Sequence, residues 1–576
     1  MTPLFENAKV SSWDDINTLL DRISLQNPLF PEADATDKVE SRARIAQGIA
    51  FITFNYGIDG VTIEIAKYAR CFDELLSTKN GFLPIHFIGG NFFNEADAYI
   101  TPCWHRLLLS NFDGWDKWNK GKWFRKLFYE PMPSGSEISG KMANEIWRQA
   151  SDFASRLEQY IRRNKIGLLI PVNVNSNPGN IAAALAIVLV SESTGIRVLN
   201  SNHDFFWEGG TPPSQRKPGA SPGVRDHFFT NYENRSFFTL FKRILPWRGA
   251  RWFQLNINTR QSEKLIKHYG FPRNQIFNIN TSIANAFFSP CSQKEKLFHR
   301  LRMAYILSDG RRIITPTPVD AHMEHIETWM HNQTPMVCGA TGELELNIAS
   351  SSALYLLQPT RIVTKKRIFR DWELVEQLLT YKAFREAFER DANLTLTLHI
   401  TGPAPVEHQR DLENILKAYK KVLNRVPGHI GKRLFTAFSV GTEIHDSFKA
   451  HGFNELTIDE IYKMADIVLL PSETEGRGLP ILEGSAAGIP VVCSRYRPER
   501  TFSEVVGEHL PEDMKVQYTL FPEKKFTRPQ IAKISNLLLH PERYSECRRQ
   551  NRRAIAARYN FNALKNKIND ILNYLY

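Results

Sequence analysis

Several hallmarks of common protein classes are missing from this 576-residue chain. Its six cysteines show neither a CxxC pair nor zinc-ligand spacing, which predicts reduced thiols in a cytoplasmic protein. No apolar run reaches the roughly 18 residues of a membrane-spanning helix, and the first residues lack a basic-then-apolar signal pattern. No acidic triplet predicts a metal site. These absences argue against a disulfide-rich secreted protein, an integral membrane protein and a structural zinc protein.

The charge of the chain is strongly positive. A formal net charge of +12 and a pI near 9.2 favour anionic partners such as nucleotide phosphates, acidic headgroups or a phosphorylated acceptor. A basic surface that only aids solubility is equally compatible with this charge, and we expect no specific nucleic acid partner. With 42% hydrophobic and 23% charged residues, the composition is that of a folded globular protein. The length therefore predicts two large domains.

Apolar strands alternate with amphipathic helices in two series. The first series begins at IAFITFNYGIDG (49–60), and the second begins at SALYLLQP (352–359). This alternation predicts an α/β protein with two Rossmann-like, doubly wound domains. We predict an N-terminal extension over 1–47, a first domain over 48–350, a second over 351–530 and C-terminal helices over 531–576. The last of these helices is expected to pack back on the first domain.

Two segments interrupt this alternation. Residues 101–150 contain five tryptophans interleaved with lysines and arginines. They are interpreted either as an amphipathic surface for a membrane or a sugar acceptor, or as an insertion packed by its own aromatic side chains, and the second interpretation is favoured. Residues 291–350 predict one helix near 294–306, followed by proline and polar residues typical of a linker or an insertion.

The densest group of functional residues lies in PSETEGRGLPILEGSAAGIPVVCS, residues 471–494. Glu475 and Glu483 have seven residues between them. Glu475 falls in a turn after a predicted strand, where its carboxylate can bind a sugar hydroxyl. Glu483 falls about one turn into the following helix, where it can accept hydrogen bonds from a ribose diol.

The turn between these glutamates is suited to a diphosphate. Gly476 and Gly478 let the backbone approach a ligand closely. A helix beginning near Leu479 presents its N-terminal amides, which favour phosphate. The whole segment therefore predicts a nucleotide-sugar site.

This segment resembles the E-x7-E signature of retaining glycosyltransferases of family 4, which include sucrose synthases, sucrose-phosphate synthases and bacterial mannosyl- and glucosyltransferases. The resemblance implies the GT-B fold, in which two Rossmann-like domains face a cleft. It also implies that Glu475 contacts the donor sugar and that Glu483 binds the ribose. Arg477 stands where the family usually has an aromatic residue, and its charge implies a contact with phosphate or a changed choice of sugar.

LLQPTRIVTKKRI (356–368) extends the resemblance into the start of the second domain. The family places an arginine and a lysine after this strand to neutralise the diphosphate, which implies that role for Arg361 and Lys366. Lys365 is the alternative to Lys366, and Arg367 stands where a glycine is usual. Gly402, after the next strand, is expected beside the donor.

NSNHDFFWEGG (200–210) resembles the acceptor-side loop of sucrose-synthase-like and mannosylglucosylglycerate-synthase-like members. The resemblance implies that His203 lies near the reaction centre and that Asp204, Trp207 and Glu208 shape the acceptor pocket. A glycine turn after the first strand adds Gly60 on the donor side and Asp59 on the acceptor side. Asparagines after another strand either bind acceptor hydroxyls or only shape their loop; these are Asn173 and Asn175.

The resemblance implies transfer of a hexose, glucose or mannose, from a nucleotide diphosphate sugar to a hydroxyl acceptor with retention of configuration. No metal or other cofactor is expected, because Arg361 and Lys366, with helix N-termini, would stabilise the leaving diphosphate. Besides donor and acceptor, peripheral contact with an acidic membrane surface is a predicted interaction. Two other interpretations stay open: a phosphate-dependent disaccharide phosphorylase of the same fold, and a non-catalytic binding protein with a decayed site.

Overall fold

The chain folds into two compact α/β units. The first comprises Met1–Thr281 and Leu564–Tyr576, and the second comprises Ser282–Ala563. Each unit has its own parallel sheet and its own hydrophobic core. The structure, a computed structural model, describes residues 8–26, 35–57, 60–77, 81–114, 123–208, 233–342 and 344–575.

The first unit is built around one parallel sheet. Its strands are β1 (Ile49–Ile52), β2 (Asn55–Tyr56), β3 (Ile85–Gly89), β4 (Asn91–Phe92), β5 (His105–Leu108), β6 (Leu168–Pro171), β7 (Arg197–Asn202), β8 (Trp252–Asn256) and β9 (Ile276–Asn278). The sheet has the order β5-β3-β1-β6-β7-β8-β9, and β2 pairs with β4 separately. The helices that precede β9 are α1 (Trp13–Gln26), α2 (Ala35–Ile45), α3 (Gly60–Leu76), α4 (Trp123–Phe128), α5 (Glu137–Arg163), α6 (Ile181–Thr194), α7 (Arg235–Ile244) and α8 (Thr259–Tyr269).

Helix α6 is the centre of the first core. Every residue from Ile181 to Ser191 is buried, as expected for a helix that is apolar on all sides. Asn180 caps its start by accepting hydrogen bonds from two backbone amides. Gly195 ends it with φ +66°, a left-handed conformation that glycine adopts without strain.

Helix α1 is part of this core, which corrects the predicted N-terminal extension over 1–47. Trp13, Ile16 and Leu20 of α1 are buried against the unit, and the Trp13 indole donates a hydrogen bond to Ser139 Oγ at 3.0 Å. An amphipathic helix of this kind gains most of its stability from the apolar face that it buries. At the other end of the chain, Leu564–Tyr576 belongs to the same unit, where Lys565 pairs with Glu74 at 2.7 Å.

The described part of the tryptophan-rich segment points inward. Trp104, Trp123 and Trp147 are at most 9% exposed, and Phe128 packs edge-on against rings of α7. These buried side chains agree with the interpretation of the segment as an insertion packed by its own aromatic side chains. Residues 115–122, with Trp115 and Trp118, lie outside the described residues, and peripheral membrane contact stays a prediction. Among the helices that the structure describes, none is long and apolar enough to cross a membrane.

The second unit contains a larger sheet. Its strands are β10 (Thr317–Pro318), β11 (Met336–Gly339), β12 (Ala353–Gln358), β13 (Thr395–Thr401), β14 (Leu434–Ser439), β15 (Ile467–Leu470), β16 (Val491–Cys493) and β17 (Thr519–Leu520). They have the order β10-β11-β14-β13-β12-β15-β16-β17, with β11 antiparallel to β14 and the other pairs parallel.

Helices cover this second sheet. They are α9 (Asn285–Phe288), α10 (Gln293–Leu307), α11 (Val319–Glu324), α12 (Ile326–Asn332), α13 (Phe369–Thr380), α14 (Lys382–Arg390), α15 (Gln409–Arg425), α16 (Gly428–Gly431), α17 (Ser447–His451), α18 (Ile458–Lys463), α19 (Leu479–Ala487), α20 (Glu499–Val506), α21 (Arg528–Leu539) and α22 (Ser545–Tyr559). The last helix, α23 (Phe561–Leu572), begins before Leu564, where the chain re-enters the first unit. The predicted fold class, α/β with two Rossmann-like domains, is therefore confirmed.

The boundary between the units lies earlier than predicted. The second unit begins at Ser282, not after residue 350. The predicted helix near 294–306 is α10, and the part after it, interpreted as a linker or an insertion, contains β11, which pairs with β14 in the second sheet. Because β11 has only four residues, its identity depends on pairing with a distant strand rather than on a local pattern.

The sequence pattern over 371–390 predicts one long helix, but the structure has two helices there. Tyr381 adopts an extended ψ of 120° between α13 and α14. The interval contains neither proline nor glycine, so the break has no local signal. Packing accounts for it, because Phe384 and Phe388 of α14 are fully buried in the second unit.

A buried ion cluster stabilises the amino end of β15. The Asp466 carboxylate contacts Lys296 Nζ at 2.5 Å and Arg300 Nη2 at 2.9 Å, and it accepts a hydrogen bond from the Tyr355 amide at 2.7 Å. Burial acts to raise the pKa of Asp466, but the two cations outweigh it and lower the pKa from 3.8 to about 2. The carboxylate is therefore charged in the folded protein at neutral pH.

We expect Asp466→Asn to destabilise the second unit by about 3–5 kcal/mol at neutral pH, because it leaves two largely buried cations without their anion. The folded-state pKa is the lower one, so this stabilisation is complete above about pH 4 and is lost as the pH falls towards 2. Urea unfolding should show the difference between wild type and variant shrinking as the pH is lowered from about 4 to about 2. Asp309→Asn, at a side chain that is 98% exposed, is the control; an equal loss in both variants would contradict the prediction.

Buried amide side chains link neighbouring strands of the first sheet. Asn200 and Asn202 of β7 donate to Gln254 Oε1 of β8 at 2.9 and 3.1 Å. Asn202 also donates to Asn256 Oδ1 at 2.9 Å, and Asn256 donates to Ser262 at 2.9 Å. The four amides are fully buried. We call this network the amide ladder. It ends directly before His203, so it fixes the pairing of β7 with β8 at the point where the loop after β7 begins.

We expect Gln254→Met to destabilise the first unit by about 2–5 kcal/mol, because the buried amides of Asn200 and Asn202 each lose one of their two acceptors. The measurement is urea unfolding followed by tryptophan fluorescence. Asn200→Leu combined with Gln254→Met should cost less than the sum of the single changes, since removing both partners leaves fewer unsatisfied groups. Strict additivity would count against this account of the ladder.

Candidate functional site

The loops after β12 and β15 meet at the carboxyl edge of the second sheet. Strand β12 lies between β13 and β15, and the chain from β12 leads to β13 on one side, while β15 is added later on the other. Open parallel sheets bind ligands where the strand order reverses in this way. Arg361 and Lys366 follow β12 and Glu475 follows β15, so the fold brings these predicted residues to one edge.

Lys366 and Glu475 form an ion pair at this edge. Lys366 Nζ lies 2.5 Å from Glu475 Oε1, and the two side chains are only 12% and 9% exposed. Burial lowers the pKa of Lys366, and the Glu475 charge opposes that effect. A buried pair gains little net stability, because desolvation offsets the attraction. Perturbed, paired groups of this kind are typical of functional sites.

Backbone hydrogen bonds hold the three neighbouring loops together. The Glu473 amide donates to Lys365 O at 2.8 Å, the Arg497 amide to Glu473 O at 2.7 Å, and the Glu475 amide to Arg497 O at 3.0 Å. Arg367, at the position where the resembling family has glycine, adopts φ +50° and pairs with Glu473 at 2.7 Å. The backbone conformation expected for glycine is therefore kept, and the loop that carries Lys366 is fixed beside Glu475.

The glycines of the turn have different physical roles. A side chain at Gly476 would meet no atom within 4 Å, so its backbone is accessible. Gly478 adopts φ +61° at the N-cap of α19, and a Cβ there would clash with the Tyr496 hydroxyl. Gly478 is thus required by the fold, whereas Gly476 leaves room for a ligand. Leu479, the first residue of α19, is 38% exposed.

Gly402 lies against the Arg361 loop. A Cβ at Gly402 would come within 2.6 Å of Thr360 O and 2.8 Å of the Arg361 amide. Only glycine allows the chain after β13 to pass this close to the chain after β12. Arg361 itself is exposed, and the described residues provide no ion pair for it.

Glu483 lies in the second turn of α19 and is partly exposed. The Tyr462 hydroxyl donates a hydrogen bond to Glu483 Oε2 at 2.6 Å. No sequence signal pointed to Tyr462, because an aromatic residue in a helix is usually a core residue. Tyr496 follows β16 and lies beneath Gly478; it has no sequence signal either, because a buried aromatic residue usually belongs to the core.

Arg477 lies in the turn between Glu475 and the start of α19. Its side chain is partly buried. Burial raises the pKa of the Tyr559 phenol, and the positive charges of Arg558 and Arg477 partly oppose that effect. A direct contact of Arg477 with the donor stays a prediction.

In the first unit, the loop after β7 is organised by Asn173. Its Oδ1 accepts hydrogen bonds from the amides of His203 at 2.8 Å and Asp204 at 3.1 Å. Ser176 Oγ donates to Asp204 O at 2.8 Å. Asn173 adopts φ +62°, a conformation that asparagine tolerates better than most residues. Its carbonyl oxygen is thus used to shape the loop, while Asp204 is exposed and His203 is partly exposed.

Trp207 and Glu208 are anchored on α8. The Trp207 ring stacks on Phe205 at 4.1 Å and on Tyr269 at 4.9 Å, and Lys264 Nζ lies 4.6 Å from its centroid. Glu208 Oε2 accepts hydrogen bonds from the Phe205 amide at 3.0 Å and from Gln261 Nε2 at 2.7 Å. Both side chains therefore stabilise the loop that presents His203.

Asn175 is wrongly predicted as an acceptor-binding residue. It is fully buried and donates hydrogen bonds to Ala184 O at 2.9 Å and Ile244 O at 3.1 Å, which joins α6 to the end of α7. Gly60 begins α3 and is exposed, with space around it. Asp59 lies outside the described residues. Within the ranges that the structure describes, no group of three or more His, Cys, Asp or Glu side chains is placed to hold a metal ion.

Residues 406–553 match the protein family described as "Glycosyl transferases group 1". The matched segment covers about a quarter of the chain, and it includes Tyr462, Glu475 and Glu483. No curated protein matches the chain.

Solved structures similar to this chain include three whose names describe glycosyl transfer or sugar-phosphate synthesis. A glycosyltransferase from Rickettsia africae ESF-5 shares 11% identity at a TM-score of 0.49, covering 92% of this chain and 98% of that one. Sucrose-phosphate synthase from Thermosynechococcus elongatus shares 12% identity at 0.48, covering 91% and 98%. An alpha,alpha-trehalose 6-phosphate synthase from Burkholderia multivorans shares 10% identity at 0.48, covering 91% and 96%.

These TM-scores are below 0.5, so the structural similarities say nothing about substrate or mechanism. The family match is independent of them and falls on the unit that carries the Glu475 loop. The chain therefore has a segment similar to the glycosyl transferases group 1 family, and this segment lies in its second Rossmann-like unit.

Proposed function

We propose that this protein is a retaining glycosyltransferase that moves a hexose, glucose or mannose, from a nucleotide diphosphate sugar to a hydroxyl acceptor. The observation that carries the proposal is the Lys366–Glu475 ion pair at the strand-order reversal of the second sheet. It combines a cation suited to phosphate and a carboxylate suited to a sugar hydroxyl within 2.5 Å. The accessible backbone at Gly476 adds room for the ligand.

The proposed donor site follows the chemistry of a nucleotide sugar from end to end. Glu483 binds the ribose, the N-terminal amides of α19 and the cations Arg361 and Lys366 bind the diphosphate, and Glu475 binds the sugar. When the diphosphate binds, Lys366 exchanges part of its contact with Glu475 for phosphate oxygens. Glu475 is then released to accept from a sugar hydroxyl, so the ion pair keeps both groups charged until the donor arrives.

The proposed reaction breaks the bond between the anomeric carbon and the diphosphate and forms a bond to the acceptor oxygen. Negative charge grows on the leaving diphosphate, and preorganised cations stabilise that charge. We infer no need for a metal, because Arg361, Lys366 and the start of α19 supply positive potential at one place. Retention, as in the resembling family, implies attack on the face from which the diphosphate leaves, with a phosphate oxygen taking the acceptor proton.

The proposed acceptor residues are in the loop after β7. His203 and Asp204 are the candidates for direct contact, because their amides are fixed by Asn173 while their side chains remain partly or fully exposed. Trp207 and Glu208 support this loop through α8. The exposed chemistry of the loop, an imidazole and a carboxylate, suits hydroxyl groups.

We expect one of UDP, GDP or ADP to stabilise the protein by about 2.7 kcal/mol at roughly 100 times its dissociation constant. Lys366→Met should remove most of that stabilisation, because the variant lacks the partly buried ammonium group that is proposed to bind the diphosphate. The measurement is a thermal-shift series, with calorimetry on the nucleotide that responds. Lys382→Met is the matched control, since Lys382 is 88% exposed on α14 and away from the edge that carries Glu475.

Equal shifts in wild type and Lys366→Met would contradict the assignment of the diphosphate site. Stabilisation by phosphate with a disaccharide, and by none of the nucleotides, would instead favour a phosphorylase. No thermal stabilisation by any of these ligands would favour a non-catalytic binding protein.

We expect Glu475→Gln to lower kcat by about 100-fold or more while the nucleoside diphosphate still binds, since the lost charge acts on the sugar near the reaction centre. The measurement is nucleotide release from the responding donor, with the anomer of the product assigned by NMR. Glu473→Gln is the control, because Glu473 is 42% exposed and paired with Arg367. An inverted product would contradict retention, and equal kcat values in Glu475→Gln and wild type would contradict the role of Glu475.

A further inference from the structure

One buried hydroxyl of the second unit is hydrogen-bonded to the proposed ribose ligand. Tyr462 is 1% exposed, and its hydroxyl donates to Glu483 Oε2 at 2.6 Å. A hydrogen bond from a neutral donor to a carboxylate is shorter and stronger than one between neutral groups. Other buried tyrosines of this unit are bonded differently; the Tyr419 hydroxyl, for example, donates to the backbone oxygen of Leu434 at 2.5 Å. Tyr462 instead contacts the side chain of a partly exposed residue.

The position of Tyr462 is set by contacts on several sides. Phe287 packs edge-on against its ring with centroids 5.4 Å apart. The next residue, Lys463, donates to Ala286 O at 2.6 Å and to Asp459 at 3.0 Å. Helix α18 is thereby fixed on α9, and the phenol has little freedom to move away from Glu483.

The protonation states of the pair suit a fixed donor. Burial raises the pKa of Tyr462 well above its ordinary value, and the Glu483 charge adds to that effect. The phenol therefore stays protonated, and the carboxylate can only accept from it. A carboxylate has about four lone-pair positions, so the bond from Tyr462 uses only part of its capacity to accept hydrogen bonds.

We propose that Tyr462 is a positioning residue for the ribose of the donor, acting by holding the Glu483 carboxylate in the orientation that accepts both hydroxyls of a ribose diol. This inference rests on the proposed function and narrows it, because it makes the vicinal 2′,3′-diol a recognition element. The hydrogen bond limits the rotation of Glu483, so less side-chain freedom is lost when the nucleotide binds. Partners that orient metal-binding side chains typically change metal affinity by about 10- to 100-fold, and we expect an effect of similar size for Tyr462.

The test uses the full-length protein with UDP, GDP and ADP and with their 2′,3′-dideoxy analogues. Tyr462→Phe removes one oxygen and keeps the ring that packs on Phe287. We expect calorimetry to show that Tyr462→Phe binds the responding ribonucleotide at least about 10-fold more weakly than wild type does. Binding of its dideoxy analogue should stay within about 2-fold of wild type, because that ligand has no diol for Glu483 to accept from. The donor KM should rise while kcat changes little, since the ribose is remote from the reacting bond.

Tyr419→Phe is the control, because it also removes a buried phenol hydroxyl from the second unit; it should leave both affinities unchanged. A second measurement distinguishes an effect through Glu483 from a general folding defect. Combining Tyr462→Phe with Glu483→Gln should weaken ribonucleotide binding no more than Glu483→Gln alone, because Tyr462 is proposed to act only through Glu483. Equal weakening of the ribonucleotide and the dideoxy analogue by Tyr462→Phe would overturn the inference, and so would unchanged ribonucleotide binding. Failure of the wild type to bind any of the nucleotides would overturn the proposed function as well, which distinguishes the two failures.

Discussion

Parallel pairing is the constraint on which the arrangement of this protein depends. When neighbouring strands run in the same direction, the loops that follow them all leave from one edge of the sheet. In the second unit this brings Lys366 within 2.5 Å of Glu475 although 109 positions separate them in the chain. In the first unit, the same rule places Asn173 after β6 beside His203 after β7. The candidate residues are close because of strand direction and order.

The two ends of β15 carry different tasks. At the amino end, Asp466 is bound by Lys296 and Arg300, and this cluster fixes the strand against α10 and β12. At the carboxyl end, the chain leaves the sheet and presents Glu475 to Lys366. The first pair of contacts joins a buried anion to two cations and contributes to stability. The second joins groups whose partners can be exchanged for a ligand, so stability and binding are separated along one strand.

Several polar residues near the candidate sites serve to hold the loops. Asn173 and Glu208 have their carbonyl and carboxylate oxygens committed to backbone amides, and Arg367 is paired with Glu473. Such contacts leave fewer groups for direct binding but fix the ones that remain exposed. Tyr462 makes a contact of the same kind, since its hydroxyl donates a hydrogen bond to Glu483. Preorganisation of this kind lowers the side-chain entropy lost on binding.

The sequence by itself determined the alternation of strands and helices, the α/β class and the turn that carries Glu475 and Glu483, because these follow from local periodicity and from glycines at special backbone positions. Tertiary structure decided what has no local signal. The four-residue strand β11 exists through its pairing with β14, Tyr381 interrupts a helix so that Phe384 can be buried, and Asn175 is enclosed between α6 and α7. Each of these outcomes depends on contacts between residues distant in the chain, which no spacing along the sequence encodes.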